Sequence, residues 1–120
     1  MTDLNELAKR VEAGEAGLPI HKEILAALGY TWRGLGYWYR DDSHQWKGLT
    51  GFTTSFDAAM LLVPEGWVVA LTIYHDCATV TLSDDRVHPV RLPCVLAEAA
   101  TPALALTAAA LRSRAAMGEG

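Results

Sequence analysis

Trp67-Val68-Val69-Ala70-Leu71-Thr72-Ile73-Tyr74 is the stretch whose reading decides the fold. Successive side chains of a strand point to opposite faces. Trp67, Val69, Leu71 and Ile73 therefore share one face, and Val68, Ala70, Thr72 and Tyr74 the other. Both sets are largely apolar. A strand able to bury both faces belongs in the middle of a sheet covered on both sides, so this segment is expected to be the central strand. His75-Asp76 reads as a hairpin turn. Ala78, Val80 and Leu82 then supply the inward face of the return strand, with Thr79 and Thr81 opposite. Ser83-Asp84-Asp85-Arg86 reads as another turn. Residues 87–96 form a third strand in this reading, confined to an edge or broken into pieces because Pro89 and Pro93 have no N–H for a ladder.

Helices flank this meander. Downstream, Thr101 suits an N-cap and Pro102 a first helical position. Ala, Leu and Arg, all strong helix formers, dominate 103–116. Leu104, Ala108, Leu111 and Ala115 make one stripe for the sheet, and Arg112 and Arg114 complement the helix dipole at the far end. Upstream, Thr54 or Ser55 caps a short helix whose apolar face is Phe56, Ala59, Met60 and Val63, and Pro64-Glu65-Gly66 ends it. Further back, 19–28 reads as a helix opened by Pro19 and closed by Gly29, with Ile20, Ile24, Ala27 and Leu28 buried. Residues 2–13 read as another, capped by Thr2, with Leu4, Leu7, Ala8 and Val11 at the spacing of one apolar stripe. The fold class that follows is α+β: a three- to four-stranded antiparallel sheet with helices on both faces, an α/β/α sandwich.

The chain has 120 residues, the size of one domain, and no repeat or linker divides 1–120. Half the residues are apolar and a fifth charged, which excludes a disordered chain. The longest apolar run, 102–111, is too short to span a membrane. The start Met-Thr-Asp-Leu-Asn-Glu has neither the basic nor the apolar part of a secretory signal. These features point to the cytoplasm. Cys77 and Cys94 are then expected to be buried thiols rather than a disulfide framework. A net charge of −4 disfavours sequence-independent nucleic-acid binding, which relies on excess Lys and Arg to neutralise phosphates.

Three local strings come together: Thr54-Ser55-Phe56-Asp57-Ala58-Ala59-Met60, Val63-Pro64-Glu65-Gly66-Trp67, and Glu98-Ala99-Ala100-Thr101-Pro102-Ala103-Leu104-Ala105-Leu106. In these the chain resembles the phage ABA-sandwich domain family, small phage and prophage proteins with no assigned activity. The resemblance runs from the second helix to the end, about four-fifths of the chain. It implies helical layers on both sides of a sheet and a phage or prophage origin, and brings no catalytic residues.

Candidate chemistry is sparse. His75, Cys77, His88 and Cys94 are zinc-ligand types, but their spacing lacks the short paired knuckles of tetrahedral sites. Cys77 with His75 two positions away suggests a thiolate nucleophile, yet it lacks an electropositive setting, and Asp76 is expected to face the other way. Arg33-Gly34-Leu35-Gly36 lacks the strand-to-helix context of a phosphate loop. Asp41-Asp42 and Asp84-Asp85 read as turn residues. No cofactor or metal is expected.

The segment 30–47 stands out. Tyr37 to Arg40 reads as a strand within otherwise loop-rich chain. Trp32, Arg33, Trp38, Arg40, His44, Trp46 and Lys47 combine the aromatic and basic side chains that dominate interface hot spots and also stack on bases. They are the candidate partner surface, with Trp38 also a candidate for packing. The leading expectation is a non-enzymatic phage or prophage accessory protein that binds a host or phage protein, one version being an inhibitor of a host defence system of anti-CRISPR type. The alternatives are a nucleic-acid-binding module and an enzyme with a Cys77 nucleophile. The oligomeric state is open, a homodimer included.

Overall fold

The computed structural model describes residues 3–29, 31–32, 37–41, 44–47, 53, 55–64, 66–84 and 94–116. The elements in chain order are α1 (Leu4–Glu12), α2 (Leu18–Ala27), β1 (Thr31–Trp32), β2 (Tyr37–Asp41), β3 (His44–Lys47), α3 (Phe56–Met60), β4 (Trp67–Ile73), β5 (Ala78–Asp84), β6 (Cys94–Ala99) and α4 (Pro102–Ala116). No described helix is long and apolar enough to cross a membrane. The class is α+β, with a three-stranded antiparallel sheet against which α1 and α4 pack.

The hub is α4. Every residue from Ala103 to Leu111 is buried, as is Ser113. A single stripe does not describe such a helix; a helix apolar all round is an interior helix. Alanine makes this arrangement possible, because its short side chain lets neighbours approach from several directions at once. Sheet strands β5 and β6, helix α1 and helix α3 all pack on α4. The two buried hydroxyls are satisfied within the helix: Thr107 Oγ1 donates to the Ala103 carbonyl at 2.8 Å and Ser113 Oγ to that of Ala110 at 2.7 Å. Thr101 caps the start as expected, its Oγ1 accepting the Leu104 N–H at 3.3 Å. The two arginines do more than complement a dipole. Arg114 Nε donates to the Leu62 carbonyl at 2.6 Å, tying α4 to the end of α3, and Arg112 reaches α1 and β6.

The apolar stripe of α1 is buried as its spacing predicts, at Leu4, Leu7, Ala8 and Val11. Its cap is Asp3, one residue later than expected, whose carboxylate accepts the Asn5 N–H at 2.9 Å. In α2, Ile20, Ile24, Ala27 and Leu28 are buried, and so are His21 and Leu25. The Arg10 guanidinium grips Glu23 with two hydrogen bonds of 3.0 and 2.7 Å, joining α1 to α2 across their exposed sides. Ser55 caps α3, accepting the Ala58 N–H. Ala59 is buried there, but Met60 is 40% exposed and Leu62 takes the inward position instead, because the chain leaves the helix after Met60.

The main sheet has the order β4-β5-β6. Ala78, Val80 and Leu82 of β5 are fully buried beneath α4. The Trp67–Ile73 strand is thus an edge strand and not the central one. Most of it is open to solvent: Val68, Ile73 and the following Tyr74 are 50, 67 and 56% exposed. Its apolar content reflects something other than burial on two faces. β5 continues through Ser83 and Asp84, where the sequence suggested a turn, because these residues pair with Val68 and Trp67. β6, expected over 87–96, is described from Cys94 to Ala99, after both prolines, and lies at the other edge. Residues 85–93, with Pro89, Pro93 and His88, lie outside the described residues.

Candidate functional site

A second three-stranded antiparallel sheet, β1-β2-β3, holds the aromatic-basic segment. Only one of its strands was legible as such. Trp32 is in β1, Trp38 and Arg40 in β2, and His44, Trp46 and Lys47 in β3; Arg33 lies outside the described residues, as do Asp42 and Gly34. The register is informative. Trp32 stands opposite Trp38, and Trp38 opposite Trp46, so the three tryptophans occupy one cross-strand row. The adjacent row is Thr31, Tyr39 and Gln45, and Tyr37 stands opposite Lys47. Directly opposed positions in an antiparallel pair lie about 4.5–5.5 Å apart. Three residues spread over 15 positions of sequence are therefore neighbours. The pairing is irregular between Tyr39 and Asp41, which places Arg40 at a bulge, a feature that re-aims the chain at functional edges. Asp41, expected in a turn, closes β2 opposite His44.

The cysteine corner has a different character. Cys77 is half-buried and follows the hairpin turn. Burial pushes its thiol above the ordinary value, and the nearby Glu98 and Asp76 carboxylates push it the same way. Asp76 thus acts on the thiol instead of facing away from it. A nucleophilic thiolate needs the opposite electrostatics. Cys94 stands opposite Ser83 at one end of β5, whereas Cys77 precedes Ala78 at the other, five residues or about 17 Å along the strand. The two cysteines cannot share a metal ion. Among the described residues no group of three or more His, Cys, Asp or Glu side chains is placed to hold one.

His21, which sequence spacing did not single out, is buried on α2 with Thr53. Its Nε2 lies 2.8 Å from Thr53 Oγ1 and accepts the Thr53 N–H at 3.4 Å. The Gly17 N–H donates to the same hydroxyl at 3.2 Å. Burial pushes the imidazole below its ordinary value, favouring the neutral ring. This is a polar clamp that fixes the chain around Thr53 to the start of α2. Among the described residues, Thr53, Phe56, Thr101, Pro102, Ala103 and Leu104 line a shallow open groove of about 460 Å³ beside the α4 N-terminus, mostly apolar and with no titratable side chain among them.

The other conspicuous surface is apolar. Val68, Leu71, Ile73 and Tyr74 on and beside β4, Leu96 on β6, and Met60 and Leu61 after α3 are all exposed. The sequence signal for the β4 group was present as a run without charge, but such a run looks the same whether it is buried or bare. Comparison with known proteins finds no matching family model, no matching curated protein and no matching solved structure.

Proposed function

We propose that the chain is a non-enzymatic accessory protein that acts by binding another protein through the β1-β2-β3 sheet. The observation that carries this reading is the row Trp32, Trp38, Trp46, flanked by Arg40, His44 and Lys47. Tryptophan and arginine are the residues most enriched in interface hot spots, and a contiguous row supplies several anchors at one place. The resemblance of its strings to phage ABA-sandwich proteins supports a phage or prophage origin and action in the host cytoplasm, and inhibition of a defence complex is one version of this role. A cysteine nucleophile fits poorly, because Glu98 and Asp76 work against thiolate formation at Cys77.

Quantitative pull-down from host lysate tests the reading. Trp32→Ala and Trp46→Ala are expected to weaken capture of the wild-type partner about 30-fold or more, the loss of a hot-spot anchor. Equal recovery by both variants refutes the surface. The same row would also serve as a stacking platform for unpaired bases, while the net charge of −4 opposes it. A gel shift that weakens steeply with salt would select that second reading.

A further inference from the structure

The backbone hydrogen bonds of the main sheet alternate in a way that locates its free groups. The Tyr74 N–H donates to the Cys77 carbonyl at 2.8 Å, so Tyr74 and Cys77 are a hydrogen-bonded pair. In an antiparallel ladder such pairs alternate with non-bonded ones. Val68, Ala70 and Thr72 therefore spend their N–H and C=O groups on β5. Val69, Leu71 and Ile73 point theirs outward, away from the sheet. The same parity carried across β5 to β6 leaves Leu96 and Glu98 pointing outward on the far edge. That is where Arg112 Nη1 donates to the Leu96 carbonyl at 3.1 Å and the Glu12 carboxylate accepts the Glu98 N–H at 3.0 Å. One edge is capped by charged side chains. Among the described residues the other is not.

Exposed edges are ordinarily protected by charge, proline or a bulge. Residues 67–74 contain no charged residue and no proline, and the β4–β5 pairing is regular throughout. We propose that β4 pairs with β4 of a second copy of this chain, joining two three-stranded sheets into one of six strands. This goes beyond the binding role of the tryptophan row and does not depend on it.

The occupant is a second copy because the edge is self-complementary in one register. With a two-fold axis through Leu71, Leu71 opposes Leu71 of the other copy and Val69 opposes Ile73. The outward backbone groups of these residues then exchange about six hydrogen bonds. On the sheet's other face Val68 opposes Tyr74 and Ala70 opposes Thr72. The exposed apolar side chains of the edge, Val68, Leu71, Ile73 and Tyr74, all acquire apolar or half-apolar partners. No like charges meet within 67–74. Both α4 helices fall on the same face of the joined sheet, so Leu71 and Ile73, which α4 leaves 37 and 67% exposed, line the seam between them.

Sedimentation velocity over a concentration series tests the pairing. The wild type is expected to reach twice the 13.0 kDa chain mass. Leu71→Lys puts two ammonium groups face to face at the axis and is expected to weaken association at least about a hundredfold. Leu61→Lys, at a more exposed site off the edge, is expected to leave it unchanged. Ile73→Lys carries the test if circular dichroism shows that Leu71→Lys is unfolded. Amide exchange reads the register: Val69, Leu71 and Ile73 are slow in the wild-type dimer and fast in the lysine variant, while Ala70 and Thr72 stay slow in both. A wild type that remains monomeric at every concentration, or a dimer indifferent to both edge lysines, overturns the proposal.

Discussion

The two edges of the main sheet solve the same problem in opposite ways. On β6, Glu12 from α1 and Arg112 from α4 meet in an ion pair, and each also takes one backbone group of the strand. Burial works to raise the Glu12 carboxyl, but the hydrogen bonds from Arg112 and from the Glu98 N–H outweigh it and hold the group below its ordinary value. The cap closes the edge and pins two helices to it at once. On β4 the outward groups of Val69, Leu71 and Ile73 lie among aliphatic side chains. Edges of equal hydrogen-bonding capacity thus differ in the side chains that the rest of the fold brings to them.

Proline substitution gives the largest expected contrast along β4. Thr72→Pro removes an N–H that bonds β5 and leaves the Thr79 carbonyl unpaired, and is expected to cost on the order of 3 kcal/mol in urea unfolding. Val69→Pro removes only an outward N–H, and is expected to cost about 1 kcal/mol while abolishing self-association. Comparable losses from the two would break the parity on which the edge assignment rests. At the capped edge, Arg112→Ala is expected to cost about 2 kcal/mol, because the half-buried Glu12 carboxylate loses its partner. A double-mutant cycle with Glu12→Gln separates the ion pair from the strand contacts. Acid provides a finer probe. A carboxyl held low in the folded state stabilises it fully above the ordinary value of 4.5 and loses that contribution as pH falls below it. The Glu12→Gln variant should therefore show a shallower acid limb than the wild type. The smallest effect belongs to Leu61→Lys, which should alter stability by less than about 0.5 kcal/mol.

Local chemistry made several elements legible. Gly29, at φ +92°, ends α2 in the conformation that glycine adopts without strain. Thr101-Pro102 opens α4, and the alternation of Ala78, Val80 and Leu82 names the buried face of β5. Other assignments failed for a common reason. The apolar run 67–74 has the same pattern as a central strand, and only the strand order shows that β5 takes that position. The aromatic-basic cluster was visible from its residue types, but β1 and β3 were hidden by short length and surrounding glycines. The cross-strand tryptophan row depends on pairing between positions far apart in sequence. Glu12 and Arg112 are 100 residues apart, and nothing near either residue announces the other.

By itself the sequence determined where most helices start and stop, which face of β5 is buried, and that residues 30–47 concentrate the side chains suited to recognition. These follow from caps, proline and glycine geometry, side-chain alternation and composition, all of which act within a few residues. Only the tertiary structure decided that α4 is surrounded, that Trp67–Ile73 is an edge, and that, among the described residues, charged side chains cap one edge and not the other. Those outcomes depend on which groups meet across the fold, where satisfying a backbone N–H or covering a leucine is settled by whichever element arrives beside it.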